Sequence, residues 1–462
     1  MDIALTARLR QPRSEGLRLF ENWLLCWILL PNLAYGLLWI MGGPPRALPI
    51  LITGLLGLAA HRAWFGLKFA IFVAAVVVSA MHFISTLFTL SIVSLLHSLR
   101  FAAELNPSAA PEYIVSAAAL AGTLVAAWWL LRRPTRLVEL KWKLLAFAAI
   151  LITISLDTSM ASTTRGSYHR IPASDALFTS AVQRSGLQDL ATGDRHVLLV
   201  MVEAMGQPVD PALRSRLVNL WATPEVRARY EVITGDTLFY GSTTKGEMRE
   251  LCGRWADYDQ VLKQRDETCL PSVLARRGYH SSAWHSFTGG FFDRTTWYPN
   301  VGFQEMRFAP EMMEAGAEKC PGVFAGACDR DIPRQIGAAL RAAEQPQFLY
   351  WLTVNSHLPV PSSERLHTEH CARFDSSLDR DFPQVCRLLQ LFEQSGRELA
   401  QEIARADFPD TDILIVGDHL PPFFDRQHRS QFEQDRVPWI LLRPKARLPE
   451  RLAEVSASQP VS

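Results

Sequence analysis

Five apolar segments fill the first third of the chain, at about 19–41, 47–64, 69–98, 112–131 and 142–156, with few charges inside them. This pattern constrains the fold more than any other. A chain that crosses lipid must satisfy its own backbone hydrogen bonds, and a helix of about 20 apolar residues spans the hydrocarbon core. The third segment is long enough to tilt or to run past the bilayer, and the second and fifth are at the short end. A buried soluble helical core is the competing reading, which five such segments in succession disfavour. A cleaved signal peptide does not suit the first segment, because it continues into further spans. The sequence predicts an α-helical membrane domain of five helices over 1–157 and a linker over 158–192. An extracytoplasmic α/β domain follows over 193–455, then a frayed tail over 456–462.

Basic residues give the orientation. Arg8, Arg10, Arg13 and Arg18 precede the first segment, Arg62 and Lys68 fall in the second connection, and Arg132, Arg133, Arg136, Lys141 and Lys143 fall in the fourth. The first and third connections offer Arg46 and Arg100. The basic clusters alternate and belong on the cytoplasmic side, so an odd number of spans puts the second half outside. The cysteines agree. Cys26 lies in the first segment, and Cys252, Cys269, Cys320, Cys328, Cys371 and Cys386 all lie in the polar half. An even number in an extracytoplasmic domain implies disulfides. Pairing neighbours in sequence (252–269, 320–328, 371–386) closes short loops, and a loop of about 15 residues gives roughly 3 kcal/mol. No pair has the spacing of a structural zinc site.

The net charge is +1, so no global field favours a polyanion and nucleic acid is not an expected partner. In the polar half, RHVLLVMVEAMG (195–206), QFLYWLTVNSH (347–357), TDILIVGDHLPPF (411–423) and VPWILLRP (437–444) are apolar runs of strand length. Helical patterns lie between them, at 332–344 and 384–405 for example. This alternation predicts an α/β domain with a mainly parallel central sheet and helices on both faces. Such sheets bind ligands beyond the carboxyl ends of their strands. Three of those ends carry Glu203, His357, and Asp418 with His419. Singly, each is an ordinary capping or surface residue. Together, carboxylates and imidazoles suit zinc or manganese.

The stretch GDTLFYGSTTKGEMRELCG (235–253) sets three hydroxyls at the start of a helical pattern. Thr243 or Thr244 there has a structural reading, capping orphan amides for about 1 kcal/mol. It also has a chemical one. A helix N-terminus favours phosphoryl oxygens, and a threonine hydroxyl beside a divalent metal becomes a nucleophile.

These residues together resemble the membrane-anchored phosphoethanolamine and phosphoglycerol transferases of the alkaline phosphatase/sulfatase-like superfamily, which include lipid A phosphoethanolamine transferases and lipoteichoic acid synthases. The resemblance covers almost the whole chain. It implies that Glu203 in VMVEAMG, Thr243 in GSTTKGE, and Asp418 with His419 in VGDHLPP hold a catalytic zinc, or alternatively manganese, with Thr243 as nucleophile. GSTTKGE resembles the Thr-Ser-x-x-Glu-type segment of the lipoteichoic acid enzymes, and that resemblance implies Thr243 rather than Ser242 or Thr244. By the same resemblance, Arg294 in FFDRTTWYPNVGF, His357 in VNSHLP and His428 in DRQHRSQFEQDRVPW are substrate-binding. The implied donor is a membrane phospholipid such as phosphatidylethanolamine. The implied acceptor is a glycolipid or polysaccharide, at the periplasmic face of a bacterial inner membrane. A sulfatase or phosphatase uses the same fold and metal, but the Cys/Ser-x-Pro-x-Arg setting of sulfatases is absent around 241–253. A non-enzymatic glycolipid-binding protein is the remaining class, and bound metal separates it from the enzymes.

Overall fold

The computed structural model describes residues 15–41, 44–87, 92, 95–96, 111–160, 177–423 and 425–445. Arg8, Arg10, Arg13, Arg100, residues 161–176 and the tail lie outside the described residues. The chain divides into two units, Met1–Arg170 with Pro422–Ser430, and Ile171–Pro421 with Gln431–Ser462.

The first unit is helical. Three helices are long and apolar enough to cross a membrane: Phe65–Leu87, Tyr113–Leu130 and Leu140–Met160. Ala47–Arg62 is apolar but shorter. The first segment is helical over 15–41, with a π-helical turn at Leu25–Leu29. The described residues thus give three helices of membrane length where five were expected. The last is longer than its apolar run, because Lys141, Lys143 and Asp157 are also helical. Trp23, Trp27, Phe72, Ala146 and Ile150 fill the interior of this unit. Leu33, Ile114, Val115, Val125 and Ile152 are exposed on its outside. Helices apolar on both faces suit lipid rather than water. Within the unit, buried Arg46 donates to Asn32 Oδ1 (2.9 Å) and Ser79 Oγ (2.8 Å), and its backbone N–H donates to Asp157 (2.7 Å).

The second unit is built on a seven-stranded sheet. Among the described residues its strands number nine, counting a separate two-stranded ribbon: β1 His196–Val202, β2 Tyr230–Leu238, β3 His280–His285, β4 Glu305–Arg307, β5 Lys319–Cys320, β6 Gly326–Ala327, β7 Gln347–Leu352, β8 Thr411–Gly417 and β9 Arg436–Pro444. The sheet order is β2-β9-β8-β1-β7-β3-β4, and β5 pairs with β6. β1 runs parallel to β7 and β8, and β3 runs parallel to β7 and β4, while β9 is antiparallel to both β8 and β2. The apolar runs become the central strands because burial on both faces rewards continuous hydrophobicity. All of β8 is buried, and all of β1 except His196.

Residues 177–192, expected as the end of a linker, are folded into this unit. Ser180 caps Ala181–Ser185, Gly186 turns the chain in the left-handed region (φ 70°), and Leu187–Leu190 follows. The Glu250 carboxylate accepts the N–H groups of Ala181 (3.1 Å) and Val182 (2.9 Å). A buried acid from a distant helix thus anchors the segment, which local sequence does not reveal. The cysteines form Cys252–Cys269, Cys320–Cys328 and Cys371–Cys386, and Cys26 is free and buried.

Candidate active site

β1 and β8 are neighbours in register, with Val202 opposite Gly417, so the residues that follow them emerge side by side. Glu203 follows β1, and Asp418 and His419 follow β8. The turn after Glu203 is tight. Ala204 adopts a left-handed conformation (φ 57°), disfavoured for a residue with a Cβ, and its N–H donates to Asp418 Oδ1 at 2.8 Å. The backbone of Glu203 is gripped from both sides. Its N–H donates to Thr353 Oγ1 (2.9 Å) and its carbonyl accepts from Ser356 Oγ (2.7 Å).

The hydroxyl helix runs Thr243–Cys252, and its N-cap is Ser242, not a threonine. Thr243 therefore does not cap. Its Oγ1 donates to Glu203 Oε2 at 3.0 Å and lies 3.3 Å from His419 Nε2. Two features hold this helix against the β8 loop. A Cβ at Gly246 would stand 3.0 Å from the Asp418 carbonyl oxygen, a contact tight enough that a side chain there would press on the β8 loop. Arg249, fully buried, donates to the carbonyls of Gly417 (2.7 Å) and Asp418 (3.1 Å) while pairing with Glu250 (2.6 Å).

Glu203, Asp418 and His419 present ligand atoms within 4.8 Å of one another. His419 Nδ1 lies 2.8 Å from the Leu420 carbonyl, so Nδ1 donates there and Nε2 is the ring nitrogen that faces the two carboxylates. Nε2 is 3.4 Å from Glu203 Oε1 and 3.3 Å from Asp418 Oδ2, and both oxygens are buried and accept no hydrogen bond. Burial, then the Glu203 charge, push Asp418 up to about 8. Burial alone would lower His419, but the Asp418 and Glu203 charges raise it to about 9. Burial would likewise raise Glu203, but His419 outweighs it and brings it down to about 2. The two acids and the imidazole are thus strongly interdependent, each shifted by the charge of the others. Two carboxylates, an inward imidazole nitrogen and an adjacent hydroxyl suit a divalent cation such as zinc or manganese.

The other expected site residues are placed differently. His357, in the loop after β7, packs edge-on against Phe324 (4.2 Å between ring centres). Burial lowers it, while Glu203 pulls it up and His419 pushes it down, so it lies within electrostatic reach of the cluster. Arg294 is buried, and its guanidinium is held by Glu247 (2.8 Å) rather than presented to solvent. Glu247 also accepts from Tyr298 (2.5 Å) and Tyr350 (3.2 Å). His428 stands in the segment Pro422–Ser430, which groups with the first unit, and its Nδ1 lies 3.0 Å from Asp425.

Three buried residues at this edge escaped the sequence reading. His285 ends β3, bonds the Leu352 carbonyl through Nδ1 (3.1 Å), and lies 3.4 Å from Arg294 through Nε2. Its strand, HSSAWH, is short and rich in small residues and shows no apolar run. Asp329 accepts the N–H groups of Val354 (3.0 Å) and Asn355 (2.7 Å) and so fixes the loop that carries Ser356 and His357. Arg249 is the third, and no local pattern marks a charged residue that will be buried.

A mainly parallel sheet with two carboxylates, an imidazole and a helix-borne hydroxyl at its carboxyl edge makes a candidate metal centre. The chain belongs to the Sulfatase family, whose model matches residues 195–461. It is 26% identical over 265 residues to a protein of Rhizobium meliloti (strain 1021) named for cyclic beta-1,2-glucan modification. That match covers 52% of this chain and 39% of the relative, so the chain spans about two fifths of the relative's length. Among solved structures it is similar to the lipoteichoic acid synthase LtaP from Listeria monocytogenes. The TM-score is 0.44 at 15% identity, over 56% of this chain and 68% of that one. It is also similar to the C-terminal periplasmic domain of EcEptC from Escherichia coli in complex with Zn. There the TM-score is 0.38 at 14% identity, over 55% of this chain and 74% of that one.

Proposed function

We propose that the chain transfers a phospholipid head group, phosphoethanolamine, to a cell-envelope glycolipid or polysaccharide through a covalent intermediate on Thr243. The chain is read as a multi-pass protein of a bacterial inner membrane, with five spans and its α/β unit in the periplasm. Phosphatidylethanolamine is the donor. The observation that carries the reading is the Thr243 hydroxyl. It stands at a helix N-terminus and points away from capping toward Glu203 Oε2 (3.0 Å) and His419 Nε2 (3.3 Å). Glu203, Asp418, His419 and Thr243 would hold zinc, or alternatively manganese. That ion supplies charge stabilisation for the phosphoryl oxygens and a lower pKa for the hydroxyl.

The residues of the chain do the rest. Thr243 Oγ1 forms a bond to the head-group phosphorus, and the bond from phosphorus to the diacylglycerol oxygen breaks. The hydroxyl proton, already donated toward Glu203 Oε2, ends on the departing oxygen. An acceptor hydroxyl oxygen then bonds to the same phosphorus, the bond from phosphorus to Thr243 Oγ1 breaks, and the acceptor's proton passes to Oγ1 to restore the threonine hydroxyl. The amides at the start of the Thr243–Cys252 helix would stabilise the accumulating negative charge. His357, which feels the charges of Glu203 and His419, would orient the donor or acceptor. Arg294, held by Glu247, supports the Thr243 helix one turn on and acts through position rather than by direct binding. The relative named for cyclic beta-1,2-glucan modification supports a periplasmic glucan as the acceptor.

The test is an intact mass and peptide map of the full-length protein after incubation with phosphatidylethanolamine and phosphatidylglycerol. A phosphoethanolamine increment on Thr243 is expected. A phosphoglycerol increment transfers the reading to that head group. Metal-loaded, folded protein with no adduct from either lipid, but with released head group, makes the chain a hydrolase.

A further inference from the structure

A cavity of about 210 Å³ lies between the β2–β9 strand pair and the Pro211–Trp221 helix. Gln207, Arg214, Thr234, Gly235, Asp236 and Trp439 line it, and none belongs to the cluster described above. Gln207 is 4% exposed, and its Oε1 is buried without a hydrogen bond. An amide oxygen in that state gains from any donor brought into the cavity. Trp439 forms part of the wall, and its indole crosses Gly235, where a Cβ would stand 2.4 Å from the ring. The indole Nε1 donates to the Asp236 carbonyl at 3.1 Å, which fixes the ring. The charges are already paired. Arg214 bonds Glu433 (2.9 Å) and the Pro208 carbonyl, and Asp236 bonds Arg436. A lining with balanced charge does not select a phosphate. A fixed aromatic ring with an unmatched amide, a carboxylate edge and the exposed Thr234 hydroxyl matches a neutral ring bearing hydroxyls, with apolar C–H faces and polar edges.

The cavity is near the proposed chemistry. Trp439 lies opposite Val416 across β8–β9, two residues before Asp418. At about 3.3 Å per residue and about 4.8 Å between strands, the Cα atoms of Trp439 and Asp418 stand about 8 Å apart. Gln207 lies four residues beyond Glu203 on the same loop. We propose that this cavity is a subsite for a neutral, hydroxyl-rich sugar ring of the acceptor glycan, an assignment that rests on the transferase reading above.

The experiment titrates a neutral β-1,2-linked gluco-oligosaccharide into the full-length protein in detergent micelles, by calorimetry. Free phosphoethanolamine serves as the charged control. Saturable oligosaccharide binding is expected, weakened at least about tenfold by Trp439→Ala and by Gln207→Met. Phosphoethanolamine binding unchanged by either substitution supports the subsite further. Absence of oligosaccharide binding, or wild-type affinity in both folded variants, overturns the proposal. Should Trp439→Ala not fold, Gln207→Met decides alone, because it keeps the side-chain length and removes only the amide. The transferase reading is judged separately, by the Thr243 adduct in the unaltered protein. An adduct without glycan binding rejects the subsite alone, and glycan binding without an adduct rejects the transferase reading alone.

Discussion

The hydroxyl of Thr243 donates to Glu203 Oε2 at 3.0 Å across 40 residues of sequence. This bond takes Thr243 out of the capping role that its position suggests. Thr243→Ala is expected to lower head-group transfer by about three orders of magnitude or more and to abolish the adduct, with the circular dichroism unchanged. Thr243→Ser keeps a hydroxyl and should retain part of the activity. Undiminished transfer by the alanine variant would remove Thr243 from the mechanism.

Arg249 joins the Thr243 helix to the loop of Asp418 through two carbonyls and pairs with Glu250. Arg249→Ala leaves a buried carboxylate without its partner, a loss of about 3–5 kcal/mol. A lower melting temperature is expected together with weaker zinc binding, measured by competition with a chromogenic chelator. Weakened zinc binding without thermal destabilisation would contradict the bridging role.

Arg294 and Glu247 form a buried pair at 2.8 Å, which predicts non-additive substitutions. Arg294→Ala should destabilise the protein by about 3–5 kcal/mol, because Glu247 is then buried with an unmatched charge. Adding Glu247→Ala should recover part of that loss in the same denaturation assay. Had Arg294 only bound substrate, the single variant would raise KM and leave stability alone.

Thr353 and Ser356 clamp the N–H and carbonyl of Glu203. The double variant Thr353→Val/Ser356→Ala should weaken metal affinity roughly tenfold, as loss of supporting hydrogen bonds around a ligand does. Calorimetric titration of the metal-stripped protein reads this directly, and an unchanged affinity would show that the clamp is dispensable.

Burial pushes Asp329 up to about 6, against hydrogen bonds from Ser286, Asn355 and Val354. The folded state therefore keeps a proton that the unfolded chain releases near pH 4. The sign follows: the contribution to stability is fully present below about pH 4 and declines as pH rises through about 6. At about 1.4 kcal/mol per pKa unit, the decline amounts to about 3 kcal/mol. Asp329→Asn does not titrate, so its melting temperature relative to wild type should rise between pH 4.5 and pH 7. A constant difference across that range would place the Asp329 pKa near the usual carboxylate range.

Local pattern was enough for much of this molecule. Continuous apolar runs mark β1, β7, β8 and β9, because a strand buried on both faces needs no polar residues. The run lengths also place Glu203 and Asp418 at strand ends. The membrane-length helices are legible for the same reason, since lipid and interior demand apolar side chains alike. What sequence by itself did not determine depends on elements that meet only in the fold. It did not give the antiparallel direction of β9, because an apolar strand reads the same both ways. It did not show that residues 177–192 dock onto Glu250, or that Glu247 holds Arg294, because partners for buried charges lie far away in sequence. The hydroxyl run left Thr243 and Thr244 open and only a family resemblance favoured Thr243, while the packing of its helix against the β8 loop, through Gly246 and Arg249, turned that oxygen toward Glu203. Periodicity is a property of neighbours along the chain. The direction of a side-chain oxygen and the pairing of a buried charge are properties of neighbours in space, and tertiary structure alone decides them.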